Sequence, residues 1–162
     1  MKLIGAASRF DFEKAFTESN PNWRTGHGYD TRTYLFDRWP DEFTWHRVEI
    51  TFDEFANDVF HIRGRCGWEA VPHPIDSARL AGGGSPDDPA PKIRAIANSL
   101  DFGDRPVART IILVAPEENS EVVILEGNHR AGALVLTETD ISAFRFLIGV
   151  SLGITNWRWY RD

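Results

Sequence analysis

Five consecutive residues, Glu126-Gly127-Asn128-His129-Arg130, bring an acid, a glycine, an amide, an imidazole and a guanidinium together. The apolar run ahead of them, Val122-Val123-Ile124-Leu125, reads as a buried strand. The small residues behind them, Ala131-Gly132-Ala133, open a helical stretch expected to run from Ala131 to Thr137. A strand, a glycine turn and a helix start point free backbone N–H groups and the positive end of a helix dipole at an anion. His129 and Arg130 would add charge-assisted hydrogen bonds. The chemistry implied is a phosphate or carboxylate pocket. Each residue alone has an ordinary structural alternative: Gly127 permits a tight turn, and Arg130 serves as a solvated residue at a helix start. Their combination makes the stretch a candidate site.

The elements that would position this turn can be read outward from it. Arg109 to Ala115 reads as a strand, Pro116 to Ser120 as a turn, and Val122 to Leu125 as the antiparallel return strand. Lys92 to Leu100 reads as a helix with Ile93, Ile96, Ala97 and Leu100 on one face. Phe144 to Ser151 reads as a further strand, and the aromatic tail Trp157-Arg158-Trp159-Tyr160 is expected to dock on the body. In the N-terminal part, Phe10 to Phe16 suggests a short helix with Phe10, Phe12 and Phe16 as its apolar side. Trp45 to Phe52 alternates like a half-buried strand, and Asp53 is a candidate cap for a helix over Glu54 to Phe60. Gly26-His27-Gly28 reads as a loop, and Ala81 to Pro89, with three consecutive glycines, as a flexible connector lacking the P-loop pattern. Aromatic residues recur at Tyr34, Phe36, Trp39, Phe43 and Trp45, either as a layer over the core or as a binding wall.

The 162 residues suit one domain, with 42% hydrophobic and 26% charged residues. A net charge of -6 argues against broad nucleic-acid binding, which relies on Lys and Arg neutralising phosphates. No apolar stretch approaches the ~20 residues that span a bilayer, and the start carries no secretory pattern. A cytoplasmic location without membrane association is the expectation. Cys66 is the single cysteine, so no internal disulfide or Cys-rich zinc site is expected. It is expected to be buried and inert, although its flanking arginines could lower its pKa. His27, His46, His61 and His73 are scattered without metal-ligand spacing. His46 and Glu49 lie on a strand that could supply the turn with a partner.

The order helix, Arg105-Pro106-Val107, strand, turn, strand, Glu126 to Arg130, helix resembles the core of the ParB/sulfiredoxin superfamily. The resemblance covers Pro91 to Leu136. It implies an α+β fold, a small mixed sheet with flanking helices. Residues 91–162 would form the family core and residues 1–90 an aromatic-rich N-terminal extension packed on it, in a single domain. It implies a phosphate-binding turn made by Gly127, Asn128, His129 and Arg130, with Arg105 approaching from the neighbouring strand. By likeness to the free-serine kinase branch, Glu126 becomes a candidate general base or metal-water contact and His129 a candidate acid. ATP or another nucleotide with Mg2+ would be the cofactors, and a small molecule the substrate. Sulfiredoxins carry their catalytic cysteine where this chain has Asn128, which argues against sulfinic acid reduction. Only a strand and a short tail are read after Leu136, so the DNA-binding role of the chromosome-segregation ParB proteins, which carry a helix-turn-helix beyond this core, is not expected. The expected activity is phosphoryl transfer or nucleotide hydrolysis. The alternatives are a non-catalytic nucleotide-sensing or protein-interaction module and, third, a ParB-like nuclease.

Overall fold

Two strands made almost wholly of apolar residues lie inside the sheet, and everything else is arranged around them. They are β4 (Thr110–Ala115), buried at every position, and β5 (Val122–Glu126), buried except at its last residue. Such runs bury both faces of a strand, as an interior position in a sheet requires. A computed structural model describes residues 1–24, 32–63, 67–102 and 109–160 of the chain. It is α+β. Among these residues, five α-helices flank a six-stranded sheet of order β1-β2-β6-β4-β5-β3. The edge strands are β1 (Lys2–Ala7) and β3 (Val59–His61), and β2 (Thr44–Glu49) and β6 (Arg145–Val150) lie between β1 and β4. The β4–β5, β1–β2 and β2–β6 pairs are antiparallel, whereas β4–β6 and β3–β5 are parallel. Residues 1–90 thus supply three of the six strands to the same sheet as the later residues.

Alternation along β4 separates two cores. Ile111, Leu113 and Ala115 face a layer containing Phe55, Ala78 and Leu134, from α2 (Phe52–Asn57), α3 (Pro74–Gly82) and α5 (Asn128–Leu136). Ile112 and Val114 face Phe12 and Phe16 of α1 (Arg9–Ser19) and the aromatic tail. Helix α4 (Ala90–Phe102) packs on α3 and α5. Side-chain hydrogen bonds help dock the tail: the Trp157 and Trp159 indoles donate to the Leu35 and Tyr34 carbonyls, and the Tyr160 hydroxyl donates to the Glu121 carbonyl. No helix among the described residues is long and apolar enough to cross a membrane.

Several boundaries differ from the sequence reading. Helix α1 extends to Ser19 and starts from a capping box between Ser8 and Asp11. Its buried side is Phe12, Ala15 and Phe16, while Phe10 is 74% exposed. Thr51, rather than Asp53, caps α2. The Glu54 amide donates to the Thr51 hydroxyl and the Thr51 amide donates back to the Glu54 carboxylate. That helix ends at Asn57, and Val59 and Phe60 enter β3. Ala81 and Gly82 belong to α3, which begins on Pro74 at its first turn.

Candidate functional site

The turn after β5 is closed by Gly127, whose φ of +103° lies in the left-handed region. A Cβ here would also stand 3.1 Å from Arg130 Nη2 and 3.2 Å from Ile111 Cγ1, so both side chains would have to shift by a few tenths of an ångström to admit one. Helix α5 starts at the next residue, three positions earlier than the sequence suggests. Gly127 brings no side-chain cap, and the first intrahelical bond runs from the Ala131 amide to the Gly127 carbonyl at 2.8 Å. The first-turn N–H groups before it have no intrahelical acceptor.

Because Asn128, His129 and Arg130 occupy successive helical positions, their side chains diverge by about 100° each. Asn128 turns inward. Its Oδ1 accepts from the Ile62 amide at 3.1 Å and contacts His61 Nδ1 at 3.0 Å, and its Nδ2 donates to the Ile124 carbonyl at 3.3 Å. The bond from Ile62 identifies the oxygen end of the amide, so a neutral His61 carries its proton on Nδ1. Its Nε2 then accepts from the Ser77 hydroxyl, 3.0 Å away. That hydroxyl also lies 2.9 Å from the Pro74 carbonyl and shares its proton between the two. Burial depresses the His61 pKa to about 3, and the Asn128 bond opposes the shift only in part. Hydroxyl, imidazole and amide follow the order of a nucleophile relay. However, Ser77 has no exposed surface, and a Cβ on Gly132 would lie 2.6 Å from its Oγ. No substrate can reach this hydroxyl, so the network locks β3, α3 and α5 together.

Arg130 turns to the other side. Nη1 donates to Ser19 Oγ at 2.8 Å, and Nη2 donates to the Thr110 carbonyl at 3.1 Å and to Glu126 Oε1 at 3.4 Å. The residue is 8% exposed. Burial lowers its pKa and Glu126 opposes that shift. The guanidinium therefore ties α1 and β4 to α5. Arg130→Met is expected to lower stability by about 2–4 kcal/mol, since the Thr110 carbonyl and Glu126 lose a buried partner. Urea denaturation followed by circular dichroism measures it, and an unchanged midpoint would refute this role.

His129 lines a cavity of about 590 Å3 at the start of α5, as does Asn128, whose amide is already engaged by His61, Ile62 and Ile124. Leu125, Glu126 and Gly127 form one wall, and Arg32, Arg63 and Lys92 bring cationic groups from three other segments. Trp68, Tyr34 and Trp159 supply aromatic surface. Trp68 stacks on His61 at 4.1 Å and meets the His129 ring edge-on at 5.0 Å. His129 Nε2 is buried and has no hydrogen-bond partner among the described residues. Burial first, then Lys92, hold its pKa down at about 4. Comparison with protein-family models, curated proteins and solved structures finds no match to this chain.

The cavity draws on residues that sequence reasoning did not assign to a site: Arg32, Arg63, Trp68 and Lys92. Each lies far from the turn in sequence, and the stretch holding Arg63 and Trp68 bears, in the sequence reading, only on the reactivity of Cys66. Arg105, Cys66 and His27 fall outside the described residues. His46 and Glu49 lie on β2, separated from β5 by β6 and β4. Glu126 is the carboxylate on the cavity wall, and it is already bonded to Arg130. No group of three His, Cys, Asp or Glu side chains suited to a metal occurs among the described residues. One engaged carboxylate does not make a Mg2+ site by itself. A nucleotide's phosphates would have to supply most of the ligands.

Proposed function

We propose that the chain binds a nucleotide, its phosphates at the start of α5 and its base against the aromatic wall. The observation that carries this reading is the cavity: uncapped helical N–H groups and the side chains of Arg32, Arg63 and Lys92 converge on one space. Helix starts and cations favour phosphate, and Trp68, Tyr34 and Trp159 offer faces or edges on which a base can stack. The strand–glycine–helix order on which the ParB/sulfiredoxin resemblance rests supports the same reading. In its enzymatic form the site performs phosphoryl transfer or nucleotide hydrolysis. Glu126 would be the base, and His129 would stand beside the phosphate on the cavity wall.

The sensor reading, binding without turnover, is favoured by the engagement of Glu126 with Arg130, which draws the carboxylate away from proton transfer. Titration with ADP, ATP, CTP and GTP, with and without Mg2+, and with phosphate release measured in parallel, separates the two. Binding with release supports the enzyme, and binding without it supports the sensor. Lys92→Glu, which reverses an exposed charge on the cavity wall, is expected to weaken ADP binding by about tenfold or more at low salt. Failure of all four nucleotides to bind would overturn both readings.

A further inference from the structure

His129 stands at the second position of α5. A buried ring nitrogen without a partner costs free energy in either tautomer, because an N–H or a lone pair goes unmatched. The charges that reach this ring come from several elements. Lys92 belongs to α4, Asp88 to the turn ahead of α4, Arg32 to the segment before residues 33–36, and Arg130 to α5 itself. His61 on β3 is also coupled to it. Arg63 and Glu126 share the cavity wall, with Glu126 held by Arg130. Cations therefore outnumber acids around the ring. Protonating it in the empty cavity adds one more positive charge to the group, whereas a phosphate seated there reverses the field.

We propose, building on the nucleotide reading, that the phosphate enters this cavity together with a proton, which the His129 ring on the cavity wall takes up, setting its charge beside that of the phosphate. The proton comes from solvent, and no covalent bond to the ligand forms or breaks. His129 thereby adds to the preference of Arg32, Arg63 and Lys92 for a phosphate ester over the neutral nucleoside. It also makes binding tighten as the pH falls. In the free protein the ring is neutral near pH 7, because its pKa sits at about 4. A neighbouring dianion favours the charged form and moves that value upward. Between the free and bound values, binding draws in a proton, and affinity rises as pH falls through that window.

Calorimetry of the full chain with ADP, at about pH 6 and about pH 7.5 in buffers of different ionisation enthalpy, counts the protons taken up. The terminal phosphate of ADP itself titrates near about pH 6. The decisive quantity is therefore the difference between the wild type and His129→Gln. The wild type is expected to take up about half a proton more than the variant at the lower pH. Its affinity advantage over the variant is expected to grow about twofold from the higher pH to the lower. Equal proton uptake by a folded variant that still binds ADP overturns the proposal and leaves the nucleotide reading standing. Absence of ADP binding by the wild type at both pH values overturns both. Should the variant fail to fold, histidine ring resonances of the wild type decide. ADP must raise the titration midpoint of one histidine by about a pH unit or more, and unchanged midpoints refute proton uptake.

Discussion

Asn128→Ala is expected to destabilise the protein by about 3–5 kcal/mol, a large share of the ~5–15 kcal/mol that holds a domain together. The side chain satisfies three buried groups at once: the Ile62 amide, His61 Nδ1 and the Ile124 carbonyl. Alanine keeps none of these bonds and leaves each group buried without its partner. An unmet buried donor or acceptor costs about 1–3 kcal/mol. Loss of the asparagine also frees the His61 ring, on which Trp68 stacks and to which Ser77 is bonded, so packing between β3, α3 and α5 loosens together. The urea midpoint at neutral pH measures the effect, and a change below about 1 kcal/mol would refute this account of Asn128. Arg32→Gln, on the cavity wall, provides the contrast. It alters charge at the cavity and is expected to weaken ADP binding with a much smaller loss of stability.

The different fates of Asn128 and His129 show where the sequence was legible and where it was not. The apolar runs of β4 and β5 announce two buried strands, and the short polar stretch between them announces a hairpin. The glycine turn after β5 is equally plain. Strand β1 was invisible because Lys2 to Ala7 lacks alternation, its residues lying largely exposed at a sheet edge. Strand β3 spans three residues, too few to set a period. Helix α3 hid behind Pro74 and Gly82, although proline at the first turn and Asp76 as the reciprocal cap are helix-start chemistry. Within the turn, proximity in sequence suggested one cluster of four ligands. Once α5 begins at Asn128, neighbouring side chains fan around a helix, so Asn128 goes to the core, Arg130 to β4 and α1, and His129 to the cavity. Where an element starts decides which side chains can meet, and element boundaries are what local pattern specifies least. The remainder of the cavity is tertiary. Lys92 arrives on α4, and Arg63 and Trp68 follow β3, which reaches the site only because β3 pairs in parallel with β5.

Acid is expected to weaken the fold well above the pH at which carboxylates titrate. His61 is 3% exposed, and its pKa is depressed by burial to about 3, against about 6.5 in an unfolded chain. A depressed histidine resists protonation in the folded state while the unfolded chain accepts the proton freely. Unfolding therefore gains protons between those two values. The stability tied to His61 is intact above about pH 6.5 and is lost progressively as pH falls toward 3. From pH 7 to pH 5 the loss from this one residue amounts to about 2 kcal/mol. His129, held at about 4, acts in the same direction. The carboxyls of Glu54, Asp11 and Asp140, whose pKa values are lowered, also act in that direction, but only once pH drops below their ordinary range near 4. The window from pH 5 to pH 7 thus isolates the histidines. Urea midpoints at several pH values across that window are expected to decline steadily. His61→Gln is expected to be less stable at neutral pH yet to show a shallower decline, because the group that refuses the proton is gone. A flat profile in the wild type, or an undiminished slope in the variant, would show that burial does not hold His61 neutral.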